Sequence, residues 1–155
     1  HGSTGDTAGY AMRGGEIHVR GNAGYRAGIH MKAYQDKLPV MVIGGCAGSF
    51  IGEYLAGGVI AVFGLGEPGR PPVSNFPCTG MHGGKLYVRG ACENIVFPKQ
   101  VSARPAGDGD LEQISALAAR YCGYFGGSAA EIMDSPFTVV TPDSRSPYKQ
   151  MYVAD

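Results

Sequence analysis

Glycine and apolar residues follow one pattern in three separate stretches of the chain. Each stretch has two glycines, an aliphatic residue two positions later, a second β-forming residue two positions after that, and a closing glycine. The three stretches are residues 14–21, 57–64 and 83–90, and their glycines are Gly14, Gly15, Gly21, Gly57, Gly58, Gly64, Gly83, Gly84 and Gly90. Residues two apart in an extended chain point to the same face. Each stretch therefore predicts a short strand with one apolar face, bounded by structural glycines that allow sharp bends.

A second repeated unit lies between these copies and ends in Ala-Gly, at residues 6–9, 22–24 and 46–48. A unit of a few strand residues cannot bury its own apolar face, so it needs neighbours stacked on it. Stacking would superpose Ile17, Ile60 and Leu86. We therefore predict an all-β fold, a parallel β-helix built as a single-stranded solenoid. An ordinary antiparallel sandwich is the alternative that the pattern leaves open.

Beyond residue 100 the pattern changes to that of a helix. Asp110, followed three residues later by Gln113, suggests a helix start, and Gly126 would end the run. The apolar face of this helix would consist of Leu111, Ile114, Leu117, Ala118, Tyr121 and Cys122. We expect a short α-helical C-terminal cap, because a bare terminal turn exposes apolar surface and unpaired strand edges.

The remaining elements follow from shorter signals. The predicted strands are residues 40–43, 95–97 and 137–140, a short helix runs from residue 128 to 134, and residues 142–155 form an irregular tail. We predict a glycine-rich β-helix domain over residues 1–98. The helical cap and tail, residues 99–155, belong to the same structural domain.

Composition narrows the function classes. The chain has 155 residues, with 13 basic and 13 acidic side chains, so it offers no general electrostatic attraction to nucleic acid or an anionic membrane. No apolar run has the length of a membrane span. The four scattered cysteines favour buried thiols in a reducing compartment, and hence the cytoplasm. The chain lacks an initiating Met and opens inside a repeat, which suggests a fragment.

Residues 64–69 match the dinucleotide motif G-x-G-x-x-G, but Arg70-Pro71-Pro72 follows instead of a helix start, so we predict a surface loop. His18 alternates with core residues and is predicted to face solvent. His30 and His82 have no second metal ligand at a suitable spacing. We therefore predict no catalytic, cofactor-binding or metal-binding residues in this chain. A surface that binds an acidic partner or phosphate is the alternative for four arginines near the glycine turns, Arg13, Arg20, Arg26 and Arg89.

Three glycine-rich segments connect this pattern to a known family: HGSTGDTAG at residues 1–9, GNAG at residues 21–24 and GMHGG at residues 80–84. Over about residues 1–98 the chain resembles the GXGXG domain of the large (α) subunit of glutamate synthase. It is more similar still to the shorter stand-alone version of archaea and some bacteria. The resemblance implies a right-handed β-helix without catalytic residues of its own.

The resemblance also implies a setting. In glutamate synthase, glutamine is hydrolysed in an amidotransferase domain, and the ammonia meets 2-oxoglutarate in a domain that holds FMN and an iron–sulfur cluster. This chain would be a non-catalytic scaffold for such parts in glutamate biosynthesis, binding no cofactor itself, and it could also form a homo-oligomer. The alternatives are a scaffold subunit of formylmethanofuran dehydrogenase or of N-methylglutamate synthase, and a small-molecule-binding module with its site at residues 65–77.

Overall fold

The structure is a computed structural model that describes residues 1–143. It contains six strands and two helices: β1 Glu16–Val19, β2 Val40–Ile43, β3 Ala56–Val62, β4 Gly83–Arg89, β5 Val101–Pro105, α1 Asp108–Phe125, α2 Ala129–Met133 and β6 Phe137–Pro142. All six strands form one sheet in the order β1-β2-β3-β4-β6-β5. The strand predicted at residues 137–140 extends to Pro142, the first residue of the predicted tail. Most of that tail, predicted at residues 142–155, lies outside the described residues.

The three glycine-bounded strands, β1, β3 and β4, lie parallel in one sheet with equivalent residues aligned, as their shared pattern predicts. Strands β1 to β4 are parallel and in register, so that Ile17, Met41, Ile60 and Leu86 are successive neighbours across the sheet. The predicted strand β2 fits between the first and second copies. This parallel arrangement also excludes the antiparallel sandwich.

The second repeated unit stacks with a different alignment from the one that its sequence suggests. Ala23 pairs with Ala47 in a parallel bridge, so residues 22–24 and 46–48 do superpose. Residues 6–9 instead lie beside residues 25–28, where the Gly28 N–H donates to the Ala8 carbonyl over 2.8 Å. Residues 2–5 occupy the place beside residues 21–24. The Ala-Gly pair at residues 8–9 resembles the other copies only locally. The hydrogen bonds between complete turns set the alignment, and they pair residues 6–9 with a different part of the next turn.

The predicted fold class, an all-β right-handed parallel β-helix, was wrong. The fold is mixed α/β, because β5 and β6 extend the parallel sheet with antiparallel strands and two helices join them. Residues 95–97, predicted as the last strand of the stack, form no strand. The chain instead runs through an irregular segment to β5, and β6 takes the place beside β4.

The helical cap was also placed wrongly. The predicted apolar face of α1 exists, but it packs across the sheet and not over the end of the stack. One sheet face carries Met41, Ile60 and Leu86 into the core enclosed by the turns. The other face is buried under α1, through the side chains Val40, Val42, Val59, Ala61, Tyr87, Ile114, Leu117 and Tyr121. Strands that are apolar on both faces require two covering layers.

Tyr121 joins α1 to the first turns of the chain. Its ring is buried and lies edge-on to Phe63, and its hydroxyl donates to the Arg20 carbonyl over 2.8 Å. Among the described residues, no helix is both long and apolar enough to cross a membrane.

Replacing Tyr121 with Phe tests this placement of α1. We expect Tyr121→Phe to lower the free energy of unfolding by about 1 kcal/mol, because it removes a buried hydrogen bond and leaves the Arg20 carbonyl without that donor. Urea unfolding at neutral pH measures the change. Tyr124→Phe is the matched control, since that ring is largely exposed on the same helix. An equal loss for both variants would contradict the placement.

Candidate functional site

Two of the three double glycines come together along one groove. Gly57, Gly58, Gly83 and Gly84 line a depression of about 710 Å³ where the chain enters β3 and β4. Its other lining residues are Ala33, Leu38, Ala56, Val59, His82, Lys85, Gln113, Thr141 and Pro142. The repeat glycines thus form the side-chain-free floor of a groove that has charged and polar residues on its flanks.

Close packing of successive turns explains why these positions are glycine. A Cβ on Gly83 would collide with the carbonyl oxygen of Ala56 in the preceding turn. Gly84 has φ +78°, and a Cβ there would lie 2.7 Å from the Gly58 carbonyl oxygen. The first pair, Gly14 and Gly15, precedes β1 in the same way. The closing glycines lie at the other end of the strands, at positions Gly21, Gly64 and Gly90.

A smaller hollow of about 330 Å³ continues the groove. It shares Ala56 and His82 with the glycine section, and its other lining residues are Tyr10, Ala11, Arg13, His30, Lys32 and Tyr54. Four of these side chains are basic or histidine, and no carboxylate lines the hollow. We call this part of the groove the cationic hollow.

The opposite flank of the groove is fixed by a buried carboxylate. Asp110 is 7% exposed and accepts from Lys85 over 3.0 Å, from Arg104 over 2.8 Å and from the Gly107 N–H over 3.1 Å. Burial by itself would raise the pKa of Asp110, but these hydrogen bonds outweigh burial and lower the pKa to about 2. The sequence predicted that α1 starts at Asp110. The helix instead starts at Asp108 with Gly107 as its N-cap, and Asp110 is its third residue.

Tyr87 lies beneath this network. Its hydroxyl contacts Gln113 Oε1 and lies 3.4 Å from Asp110 Oδ1. Burial, together with the neighbouring Asp110 charge, raises the pKa of Tyr87 to about 12. Each polar group is satisfied within the protein, so this cluster holds Lys85 and Gln113 in place at the rim of the groove.

Exposed aromatic side chains mark the turns next to the cationic hollow. We call this surface the aromatic corner; its residues are Tyr10, Tyr25, Arg26, His30, Phe50, Tyr54 and Phe76. His30 stacks on Tyr54 with ring centroids 5.0 Å apart, and Phe50 contacts both Tyr25 and Phe76. The side chains of Tyr10 and Phe76 are 64% and 60% exposed. These rings form two groups that each extend across successive turns, one of Tyr10, His30 and Tyr54 and one of Tyr25, Phe50 and Phe76.

The backbone of the aromatic corner is strained. Arg26, His30, Phe50, Tyr54 and Phe76 all have φ between 54° and 60°, in the left-handed region. Bulky residues rarely adopt this conformation, which costs roughly 1–2 kcal/mol per residue for side chains other than glycine. Thr7, Ala11 and the buried Cys78 share this conformation, so the stacking of successive turns enforces it.

The four predicted arginines do not form one surface. Arg26 pairs with the buried carboxylate of Glu53 over 2.7 Å and lies over the Tyr25 ring. Arg89 donates to the Ile132 and Glu131 carbonyls of α2. Arg13 lines the cationic hollow, and the carbonyl of Arg20 receives the Tyr121 hydroxyl. Sequence proximity to glycine did not indicate which arginines lie together.

His18 does not face solvent, contrary to the prediction. It does point away from the core enclosed by the turns, but its side chain is only 6% exposed because α1 covers that face. Its ring lies 4.9 Å from the Tyr124 ring, and its Nε2 lies 2.8 Å from a Glu16 oxygen.

The loop of residues 65–77 contains turns and bends but no helix, so the dinucleotide-like motif is a surface loop, as predicted. Arg70 is paired with Glu67, which also accepts from Asn22. A cavity of about 510 Å³ lies beside Arg70, Asn75 and Asn94. Within residues 1–143, no three His, Cys, Asp or Glu side chains form a group that could hold a metal ion.

Comparison with known proteins shows the family to which the chain belongs. The model of the GXGXG motif family, which is the domain found in the glutamate synthase large subunit, matches residues 3–142. The chain belongs to the GXGXG family. It is also 38% identical over 140 residues to an uncharacterized protein of Methanocaldococcus jannaschii, covering 86% of this chain and 54% of the relative. The chain thus spans about half the length of that relative.

The double glycines can be tested with two substitutions of opposite expected sign. Gly83→Ala should lower the free energy of unfolding by about 1–3 kcal/mol, because the new methyl group meets backbone of the preceding turn. Gly123→Ala should raise it by up to about 1 kcal/mol, because Gly123 lies inside α1 with open space around it. Urea unfolding measures both, and a neutral Gly83→Ala would contradict the close packing of turns.

Asp110 should make stability depend on pH in acid. Its folded pKa of about 2 lies below the ordinary value of 3.8, so its ionised form stabilises the fold above about pH 4. This contribution, about 2 kcal/mol, is lost as the pH falls from 4 to 2. Asp110→Asn should therefore narrow the difference in unfolding free energy between pH 5 and pH 2. Asp108→Asn, an exposed carboxylate on the same helix, is the control, and equal narrowing in both variants would contradict the assignment.

Proposed function

We propose that this chain is a non-catalytic scaffold in a glutamate-synthase-like assembly. In this role it holds an amidotransferase part and an FMN-binding part in position, while glutamine and 2-oxoglutarate react within those partners. FMN and the iron–sulfur cluster belong to the partner subunits in this proposal, and this chain binds neither. The family match supports the assignment to this kind of assembly.

The observation that carries the proposal is the aromatic corner. Five bulky residues are held at positive φ on successive turns, and the exposed rings among them include Tyr54 and Phe76. Aromatic side chains are enriched in protein interfaces and contribute much of their binding energy. A rigid surface of this kind loses little conformational entropy on binding, which favours docking of another protein.

The interior chemistry supports the same role. The buried charged groups Glu53 and Asp110 are each paired with cations of the fold. Burial raises the pKa of the Cys78 thiol and so disfavours the thiolate that a nucleophile requires. These groups stabilise the structure and do not form a reactive centre.

Co-purification tests the proposal. A tagged chain expressed in the organism that encodes it should recover a flavin-containing protein and a glutaminase-type protein, identified by mass spectrometry. Phe76→Gly should reduce their recovery about tenfold, because it removes an exposed ring from the aromatic corner. The free energy of unfolding of the Phe76→Gly variant should differ from that of the unchanged chain by less than about 1 kcal/mol, because glycine adopts the φ of 56° without steric cost.

Tyr124→Ala is the matched control, since Tyr124 is also 60% exposed but lies on α1. We expect it to leave recovery of the partners unchanged. The proposal fails if neither kind of partner is recovered, if both variants lose them equally, or if the isolated chain releases ammonia from glutamine.

A further inference from the structure

Cationic residues occupy equivalent positions in successive turns beside the aromatic corner. The Lys32 N–H donates to the Met12 carbonyl, the Ala56 N–H to the Met31 carbonyl and the His82 N–H to the Leu55 carbonyl, over 2.8–3.0 Å. This ladder places Lys32, Ala56 and His82 in one column. Arg13 follows Met12 at the same place in the first turn. Strands and turns paired in this way are about 4.8 Å apart, so the column presents the cations Arg13 and Lys32 on adjacent turns, followed by Ala56 and His82.

The charges in the cationic hollow are not compensated locally. Arg13 and Lys32 are the cationic side chains that line the hollow, and among residues 1–143 neither takes part in an ion pair. No carboxylate lines the hollow, although the whole chain carries equal numbers of acidic and basic side chains. A local excess of positive charge attracts a complementary negative group.

Aromatic rings and a hydrogen bond position the polar groups of the hollow. The His30 ring lies nearly parallel to Tyr54, and the Tyr10 ring meets His30 edge-on at 6.1 Å. His82 Nδ1 lies 3.1 Å from the Gly80 carbonyl oxygen, so it donates in the tautomer that carries the proton there. The cationic hollow is therefore partly ordered before any ligand binds.

We propose that the cationic hollow binds the carboxylate groups of an acidic peptide segment on a partner protein. This inference rests on the proposed scaffold function and gives the chemistry of the partner at this surface. The hollow is shallow, since Tyr10 is 64% exposed, whereas small-molecule sites bury most of their ligand. An extended acidic segment overcomes this limit, because two carboxylates on one chain bind Arg13 and Lys32 together.

The geometry suits an extended segment. Alternate side chains of an extended chain are about 6.6 Å apart, a distance that the long side chains of Arg13 and Lys32 can span from adjacent turns. The glycine section continues the hollow through Ala56 and His82, so the rest of the segment can lie in a groove that four glycines, Gly57, Gly58, Gly83 and Gly84, help to line.

A fluorescently labelled poly-glutamate peptide tests the inference by fluorescence anisotropy with the full chain. We expect binding at low salt that weakens in about 0.5 M salt, where exposed charges are screened. Arg13→Gln combined with Lys32→Gln should weaken binding about tenfold, through the loss of two ion pairs. Arg20→Gln combined with Lys99→Gln removes the same charge from exposed residues outside the hollow, and should change binding less than about twofold.

Each other outcome is also informative. No binding of poly-glutamate, or an equal loss in both double variants, would overturn the inference. Displacement of the peptide by glutarate at the same concentration as by free poly-glutamate would replace it with a small-carboxylate site. Because this assay needs no partner, its failure is separate from a failure to recover partners by co-purification, which would count against the scaffold function.

Discussion

Main-chain hydrogen bonds between successive turns are the constraint on which the rest of the structure depends. The Thr7 N–H donates to Tyr25, Arg26 to Ser49 and Phe50 to Asn75, all over 2.7–2.9 Å. Such a ladder closes only if equivalent residues in each turn have the same backbone conformation. Thr7, Arg26, Phe50 and Phe76 accordingly all have φ between 56° and 60°. Glycine would adopt this conformation at lower cost, so the ladder itself must stabilise the larger residues there.

The ladder converts sequence repeats into columns of side chains. Because each turn superposes on the last, residues about 19–26 positions apart become neighbours, as His30 and Tyr54 do across one step of the ladder. Outward-facing positions form the aromatic corner and the cationic hollow, and inward-facing ones form the core. A surface built in this way is held by many backbone hydrogen bonds, which makes it rigid and suited to binding without rearrangement.

The sequence predicted the parts of the fold that depend on local spacing. Alternating apolar residues located β1, β3 and β4 and the alignment of Ile17, Ile60 and Leu86, and an apolar run located β2 without its register. Helical spacing located the buried face of α1. It did not predict the sheet layer, although Val40 and Val42 on the outer face of β2 indicated a second covering layer. Because the prediction lacked this helical layer, it also placed His18 in solvent.

The aromatic corner was not predictable for a different reason. Nothing in the residue type of Phe50 or Tyr54 signals a positive φ, because the preference of such residues is the opposite. Neighbouring turns impose that conformation, and the neighbours lie some 20–26 residues away in sequence.

The double glycines relate the stability of the stack to the shape of the groove. Any side chain at Gly57 or Gly83 would meet backbone of the preceding turn, so glycine is required for stacking whether or not a ligand binds. The same absence of side chains leaves the groove open. A substitution that fills the groove would therefore also disturb the stack, and loss of binding in such a variant would not identify a binding site. Flanking residues such as Arg13 and Lys32 separate the two effects, because their side chains lie at the rim and support no neighbouring turn through an ion pair within residues 1–143.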